Sequence, residues 1–381
     1  MQERQRIASL VLTGGMTVSA AARECGVSRP TAQLWVKRAR EQGVENLEIP
    51  TTRPHRFRGA AGVEVTEKVL SLRAEHPYWG AAKLHAILWP DFKEAPVCVR
   101  TVERVLRRAG LTKPVAPLPP LQRFERSGCN ELWQMDFKGL EACWGYRPLS
   151  LLDDRSRYCV GLVPLQNRGT ESVWATLWAL FGEYGLPLEI LCDNGDCWGN
   201  TGEGPTPLEA RLWRLDVKMI HGRVRHPQTQ GKVERFHRTL ETEGAGLLRQ
   251  LDLRAAQESC EHLRQHYNWQ RPHEALGQEK PGVVYHSSER KRPAKLPAVQ
   301  VRPGAHLRKV AETGLLSFRG QQYRAGRGLG GESVEIREEE SGWSLFYSNH
   351  RIGPLRQREV NKPSTHTRRS RGSLESLIGG G

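Results

Sequence analysis

Residues 132–140, LWQMDFKGL, begin the segment from which the architecture of the chain can be inferred. Further short apolar runs typical of strands follow it: YRPLSLLDD, YCVGLVPL, LEILCD and VKMIHG. Residues 170–184 and 207–215 have helical spacing, and a long helix is predicted from Gly231. Three hairpin-connected strands followed by alternating helices and strands predict an α/β core with a mixed sheet and helices on its faces.

Three acidic residues of this segment occupy positions where carboxylates are unusual. Asp136 lies in the middle of the first predicted strand, Asp193 ends an apolar strand, and Glu234 lies in the first turn of the long helix. A buried carboxylate is costly unless it is paired or bound to a metal. Three together repel one another until they hold protons or recruit a cation. Taken singly, each acid could instead be a helix cap or a surface charge.

The chemistry of these three acids indicates the cofactor. Ligand sets made only of oxygen select hard cations, so we expect Mg²⁺ or Mn²⁺. Two ions per active site, about 3.5–4 Å apart, could hold a scissile phosphate, one activating the attacking water or 3′-hydroxyl and the other stabilising the leaving oxygen. The predicted catalytic and metal-binding residues are Asp136, Asp193 and Glu234. The eight cysteines form no Cys-x-x-Cys pair, which argues against a zinc site.

The helix that carries Glu234 combines an apolar face with basic residues. Its apolar residues follow helical spacing and are predicted to be buried: Val233, Phe236 and Leu240. Its basic residues point elsewhere and are predicted to bind DNA phosphates: Lys232, Arg235 and Arg238. His237, one turn after Glu234, is expected either to contact DNA or to tune that carboxylate.

The first 48 residues have the spacing of three short helices joined by glycine turns. Gly14-Gly15 ends the first helix, Ser19 is predicted to cap the second, and Gly26 makes the turn before a third helix capped by Ser28. This order is the helix-turn-helix pattern. The exposed face of the third helix is predicted to enter a DNA major groove through Arg29, Gln33 and Lys37. A small helical hairpin with a solvated basic face is the alternative.

The overall charge is consistent with a nucleic-acid partner. The 381 residues include 57 Lys and Arg against 42 Asp and Glu, a net charge of +15. Such a balance favours an anionic polymer as partner, although a merely basic soluble protein is the alternative. The N-terminus lacks the apolar stretch of a signal peptide, and no apolar run approaches the roughly 20 residues that span a bilayer. We therefore expect a cytoplasmic, nucleoid-associated protein with no membrane partner.

Shifts in composition predict a multidomain chain. The predicted segments are a helix-turn-helix domain at 1–48, a basic linker at 49–62, a second helical DNA-binding domain at 63–113, a Pro-rich linker at 114–129, the α/β core with its following helix at 130–290, a small β-barrel at 296–358 and a basic disordered tail at 359–381. Arg56 lies in the basic linker and is predicted to rest on phosphates. The short alternating strands near the C-terminus favour a barrel, with a sandwich as the alternative.

Several motifs of the core resemble those of a known family. LWQMDFKG, LLDDRSRY, LCDNG and HPQTQGKVERFHRTL are similar to the integrase core of bacterial insertion-sequence transposases, within the superfamily that includes retroviral integrases. HYNWQRPHEALGQEKP also resembles the region that follows the core in these transposases. The resemblance implies a ribonuclease-H-like fold and a catalytic acid triad, which matches motif by motif to Asp136, Asp193 and Glu234.

The expected function is therefore DNA transposition by metal-dependent strand cleavage and strand transfer. The expected partners are the terminal inverted repeats of the element, target DNA and further copies of the chain, at least as a dimer on DNA, because two element ends must be joined. Two alternatives are a transposase-derived DNA-binding regulator, which would need none of the three acids, and a nuclease that cuts without rejoining, which would need no recognition of specific ends.

Overall fold

The computed structural model describes residues 3–47, 61–88, 97–112, 125–138, 146–193, 198, 204–222, 231–244 and 252–357. The chain divides into two compact units, residues 1–60 and 61–381, which are described separately. Arg56 with most of the basic linker, most of the Pro-rich linker and the whole predicted tail lie outside the described residues. Within the described part, no helix has both the length and the apolar character needed to span a bilayer.

The first unit contains three helices in the predicted order. They are α1 (Glu3–Leu12), α2 (Val18–Glu24) and α3 (Arg29–Gln42). Ser28 caps α3 as predicted, because its hydroxyl accepts a hydrogen bond from the Thr31 amide. The predicted cap of α2 is wrong: Thr17 rather than Ser19 accepts from the Ala20 amide, so the helix begins two residues earlier. Gly26, at φ 64°, makes the turn between α2 and α3.

The second unit begins with three helices, α4 (Val63–Glu75), α5 (Ala81–Leu88) and α6 (Val99–Arg108). They share one apolar core, whose fully buried members include Val69, Leu84 and Val102. Trp79 belongs to the same core, and its indole Nε1 donates to Glu243 Oε2 at 3.3 Å. This hydrogen bond joins the three-helix module to the helix Gly231–Glu243.

A five-stranded mixed sheet forms the centre of the second unit. Its strands are β1 (Leu132–Phe137), β2 (Arg147–Asp153), β3 (Cys159–Leu165), β4 (Glu189–Cys192) and β5 (Lys218–His221), in the order β3-β2-β1-β4-β5. β1, β2 and β3 pair antiparallel, whereas β4 runs parallel to β1 and β5. The remaining helices are α7 (Thr170–Tyr184), α8 (Pro207–Trp213), α9 (Gly231–Glu243), α10 (Leu253–Gln265) and α11 (Pro281–Val284). The predicted mixed sheet with helices on its faces is confirmed.

Side-chain alternation along the strands assigns them to two faces of the sheet. Alternate residues of β1 share one large core with the buried side of α7: Trp133, Met135 and Phe137. The opposite face, which includes Leu152 and Leu162, shares a second core with α9 and α10. Asp136 stands between Met135 and Phe137 and therefore lies on this second face, toward α9. The sequence pattern of α9 agrees, since Val233, Phe236 and Leu240 are buried there as predicted.

The C-terminal region consists of two antiparallel sheets. The strands are β6 (His306–Lys309), β7 (Leu315–Phe318), β8 (Gln321–Arg324), β9 (Ser333–Glu339), β10 (Gly342–Tyr347), β11 (His350–Pro354) and β12 (Arg356–Gln357). The sheet orders are β11-β10-β9-β6 and β12-β8-β7, and no closed barrel joins the described strands, so the predicted barrel is corrected to two sheets. β8 pairs with β7 and β12, outside the larger sheet, and the 3₁₀ turn Arg327–Leu329 separates it from β9.

Candidate active site

Two of the three predicted acids lie side by side at the end of the sheet. β1 and β4 are parallel, and Gln134 pairs with Leu191. Two positions further, the same register brings Asp136 level with Asp193, on strands that lie about 4.8 Å apart. Cys192 packs in the core on the α7 side. Asp193 follows directly after β4, and its negative charge is close enough to Asp136 to raise the pKa of that carboxyl.

Asp136 is a partly buried carboxylate whose ionisation is opposed by its surroundings. Its side chain is 22% exposed. Burial, followed by the negative charge of Asp193 and to a smaller extent that of Glu234, raises the pKa of Asp136 to about 7. The backbone amide of Phe137 and the positive charge of Arg168 act in the opposite direction. The site thus accumulates negative charge that a proton or a cation would relieve.

Asp193 is held by a buried tryptophan and a histidine. The indole Nε1 of Trp198 donates to Asp193 Oδ1, and the ring of Trp198 stacks on Phe137 with centroids 5.4 Å apart. His221, at the end of β5, lies with Nδ1 3.3 Å from the carbonyl oxygen of Asp193. Its Nε2 lies 3.3 Å from Glu209 Oε1, and this contact raises the pKa of His221. Side chain and main chain of Asp193 are therefore both anchored.

Glu234 lies in the first turn of α9, which two ion pairs fasten to the sheet. Lys232 Nζ lies 2.6 Å from Asp154 Oδ1 and 3.0 Å from the Asp154 carbonyl oxygen, just beyond β2. Further along α9, Glu241 pairs with Lys138, which follows β1. Glu234 itself is exposed on α9 and close enough for its charge to raise the pKa of Asp136. The helix therefore presents the third acid at the same edge of the sheet.

His237 lies directly against the predicted acids. Its Nδ1 is 3.8 Å from Asp136 Oδ2, and its Nε2 is 2.9 Å from the hydroxyl of Ser150, the residue paired with Asp136 across β1 and β2. Burial, assisted by the charge of Lys138, lowers the pKa of His237 to about 4, so the imidazole is neutral at pH 7. The carboxylate nearest to His237 is Asp136 and not Glu234, and the two roles expected for His237, contacting DNA or tuning Glu234, stay predictions.

The donor set fits a hard divalent cation, although its members are not drawn together around one point. Within the described ranges, no three His, Cys, Asp or Glu side chains are close enough together to hold a metal ion. Asp136 and Asp193 carry carboxylate oxygens, the ligand type that hard cations prefer, on neighbouring strands, and burial together with the charge of Asp193 raises the pKa of Asp136.

The predicted DNA-contact residues fall into three groups. Arg29, Gln33 and Lys37 are exposed on α3 of the first unit, and Arg235 and Arg238 are exposed on α9. Lys232 differs, because its side chain is only 17% exposed and its ammonium is paired with a fully buried carboxylate. A phosphate would have to compete with Asp154 for this lysine. The DNA contacts of all these residues stay predictions.

Some residues around the acids were not identified from the sequence. Trp198 was not singled out, and Lys138 lies within the quoted LWQMDFKG motif without a predicted role; the contacts of both become visible only in the structure. The acids Asp153 and Asp154 are structural: Asp153 accepts from the amide and hydroxyl of Ser156 at 2.8 and 2.6 Å, whereas Asp154 receives Lys232. Their position at the end of an apolar run typical of a strand is the sequence signal that favours a turn role for both.

Comparison with protein families identifies three kinds of domain. Residues 126–227 and 215–281 each match a model described as an integrase core domain. Residues 1–48 match a homeodomain-like domain, which is a helix-turn-helix family, and residues 305–362 match the C-terminal domain of IS481 family transposases. These matches confirm the resemblance to insertion-sequence transposases with an integrase-like core. The helix-turn-helix and integrase domains together indicate a DNA-binding protein.

Solved structures of viral integrases resemble the chain at low identity. The catalytic core domain of BIV integrase is 22% identical, over 41% of this chain and 93% of that one, with a TM-score of 0.33. The HTLV-2 integrase catalytic core domain in complex with magnesium is 15% identical, over 41% and 97%, with a TM-score of 0.33. The simian T-cell lymphotropic virus intasome in complex with the PP2A regulatory subunit B56 gamma is 15% identical, over 76% and 98%, with a TM-score of 0.37. TM-scores this low carry no inference about function.

Proposed function

We propose that this chain, which carries the domains of an insertion-sequence transposase with an integrase-like core, binds the ends of its element and cleaves and joins DNA strands with Asp136, Asp193 and Glu234. The observation that carries the proposal is the placement of two carboxylates, Asp136 and Asp193, at the ends of neighbouring parallel strands, where burial and the charge of Asp193 raise the pKa of Asp136. A fold retains such a pair at a cost in stability, which is the pattern of a functional site.

The proposed cofactor is Mg²⁺ or Mn²⁺, two ions per active site, held by Asp136, Asp193 and Glu234. Bound ions would supply Lewis-acid activation of the attacking water or 3′-hydroxyl and charge stabilisation at the leaving oxygen. Because the pKa of Asp136 lies near 7, this carboxyl would have to lose its proton to serve as a ligand at neutral pH. Deprotonation at that carboxylate is therefore part of metal binding.

The surrounding residues orient the acids. Trp198 fixes the direction of the Asp193 carboxylate through Oδ1. Neutral His237 fills the space between Asp136 and Ser150 without adding a competing positive charge. The Lys232–Asp154 pair holds the first turn of α9 against the sheet, so that Glu234 remains within reach of the other two acids.

The other proposed domains supply DNA binding and assembly. The helix-turn-helix at 1–48 reads the element ends through Arg29, Gln33 and Lys37, and the helical domain at 63–113 and linker residue Arg56 add phosphate contacts. Each chain has one set of acids and an element has two ends, so at least a dimer acts on DNA. Positive charge opposes association of the free chains, and DNA relieves that repulsion. Light scattering with and without end DNA tests whether DNA drives the assembly.

A strand-transfer assay with the inverted repeats that flank the gene, a plasmid target and Mg²⁺ tests the proposal. We expect wild-type protein to cut and join, and Asp136→Asn, Asp193→Asn and Glu234→Gln to do neither while binding DNA normally, because affinity comes from Lys and Arg. Asp216→Asn, which removes the same charge from a side chain that is 89% exposed, is the matched control and should remain active. Full activity in any triad variant contradicts the assignment; cutting without joining by wild type indicates a nuclease, and binding alone a regulator.

A further inference from the structure

An exposed arginine with no assigned role stands beside the acids. Arg168 lies in the loop between β3 and α7. β1 and β3 run in the same direction, since each pairs antiparallel with β2, so the loop after β3 opens at the same edge of the sheet as the end of β1. Arg168 therefore approaches the edge where Asp136 and Asp193 lie, from the side of the sheet that α7 covers.

The guanidinium of Arg168 is held over an aromatic ring next to the acids. Its central carbon lies 5.8 Å from the ring centroid of Phe137, the residue that follows Asp136. Phe137 in turn stacks on Trp198, which donates to Asp193. The positive charge is near enough to Asp136 to lower the pKa of that carboxyl against the larger opposing effects of burial and Asp193. Arg168 therefore lies at the same edge of the sheet as Asp136.

The loop that carries Arg168 contains a hydrogen-bonded turn, and the nearest acid along the chain does not engage the guanidinium. Asn167 Oδ1 accepts from the Gly169 amide at 2.9 Å and from the Ser172 hydroxyl at 2.8 Å, which fixes the turn into α7. The nearest acid along the chain, Glu171, is occupied by two hydrogen bonds from Arg211, at 2.9 and 2.6 Å. Among the described residues no ion pair involves Arg168, whose side chain faces solvent.

We propose that Arg168 is a DNA-contact residue of the active site, whose guanidinium binds a phosphodiester flanking the one on which the three acids act. The planar fork of an arginine matches the oxygens of a phosphate, and the ring of Phe137 restricts its orientation before DNA arrives. The competing role is purely internal: a cation that offsets the carboxylates and packs on Phe137. This inference rests on the proposed strand-transfer function and adds a substrate contact to it.

Measuring the energetic coupling between Arg168 and one phosphate distinguishes a contact with DNA from a purely internal role. Joining is measured in single turnovers with end duplexes that carry one neutral methylphosphonate at each successive position near the joined end. We expect Arg168→Ala to slow joining about 10- to 100-fold, and one methylphosphonate to slow wild type by a similar factor. At that position the Arg168→Ala protein should be no slower than on unmodified DNA, because the contact is already lost. Arg168→Lys, which keeps the charge, should restore part of the rate and of the sensitivity.

Arg254→Ala is the matched control, since it removes the same charge from a side chain that is 88% exposed, and it should join at the wild-type rate. Thermal unfolding of Arg168→Ala should equal that of wild type, because the side chain is exposed. The inference is overturned if Arg168→Ala joins DNA at the wild-type rate. It is also overturned if the effects of the variant and of the methylphosphonate on the rate multiply at every position. Either result leaves the transposase proposal intact. Failure of wild type to join any end duplex overturns both.

Discussion

The ion pair between Lys232 and Asp154 predicts a large loss of stability when the lysine is removed. Asp154 is fully buried, and Lys232 Nζ is its one cationic partner among the described residues, at 2.6 Å. Removing one member of a buried ion pair costs about 3–5 kcal/mol, because the other charge stays buried without compensation. The Gln134 amide at 2.8 Å and the Arg126 backbone amide at 2.7 Å still donate to Asp154. We therefore expect Lys232→Met to lower the free energy of unfolding by about 3 kcal/mol.

The same substitution should reduce catalysis by more than its effect on folding. Lys232 holds the first turn of α9, two residues before Glu234. A displacement of about 1 Å at a catalytic group can cost about 100-fold in rate, so Lys232→Met should join DNA slowly even where it is fully folded. Arg238→Ala, on an exposed part of the same helix, is the control and should change stability by less than about 0.5 kcal/mol.

Urea unfolding followed by circular dichroism measures the first effect, and single-turnover joining at 20 °C or below measures the second. The double variant Lys232→Met, Asp154→Asn removes both charges and should regain part of the lost stability. An unfolding free energy of Lys232→Met within about 0.5 kcal/mol of wild type would refute the reasoning. If that result came with weaker DNA binding and a smaller salt dependence, Lys232 would be a phosphate contact and not a tether.

Two further predictions concern the acids and DNA recognition. The pKa of Asp136 in the folded state, about 7, lies above the value of about 3.9 in an unfolded chain, so metal-free protein should lose stability as the pH rises from about 4 to 7. Asp136→Asn should accordingly be about 2–4 kcal/mol more stable than wild type at pH 8 with chelator and closer to it at pH 5; an equal difference at both pH values in urea unfolding contradicts the burial argument. Arg29→Ala and Gln33→Ala should each weaken end binding by about 1–3 kcal/mol and relax its specificity, whereas Arg56→Ala should weaken binding to all sequences alike; gel shifts over several salt concentrations test this, and unchanged discrimination in the first two variants removes the groove assignment.

The elements that follow strong periodicity could be predicted from the sequence. The mixed sheet, α7 and the buried face of α9 follow from apolar runs and helical spacing, because these patterns directly reflect which side of an element is buried. Asp136 and Asp193 stood out for the same reason, as charged residues within or directly after apolar strands. A local sequence pattern was sufficient to predict those elements whose buried side is set by the spacing of their own apolar residues.

The remaining features depend on three-dimensional contacts that no local sequence pattern specifies. Nothing in the sequence near Trp198 indicates that its indole donates to Asp193, or that Lys232 is paired with Asp154 across 78 positions. The barrel prediction was wrong for a related reason: strand patterns predict strands, but the pairing of β12 with β8 is decided by long-range packing. The cap of α2 was predicted two residues too late, at Ser19 instead of Thr17, because both positions carry a hydroxyl that can cap a helix.

The parallel pairing of β1 with β4 has a consequence for how such a chain can change over generations. Main-chain hydrogen bonds set the alignment of Asp136 with Asp193, so insertions or deletions in the connection that leaves Asp193 can accumulate without altering the distance between these two carboxylates. A single-residue deletion inside β4 has the opposite effect, since it moves the neighbouring acid to the other face of the sheet. Natural length variation should therefore concentrate beyond the strand ends, and the strands themselves should keep a constant length.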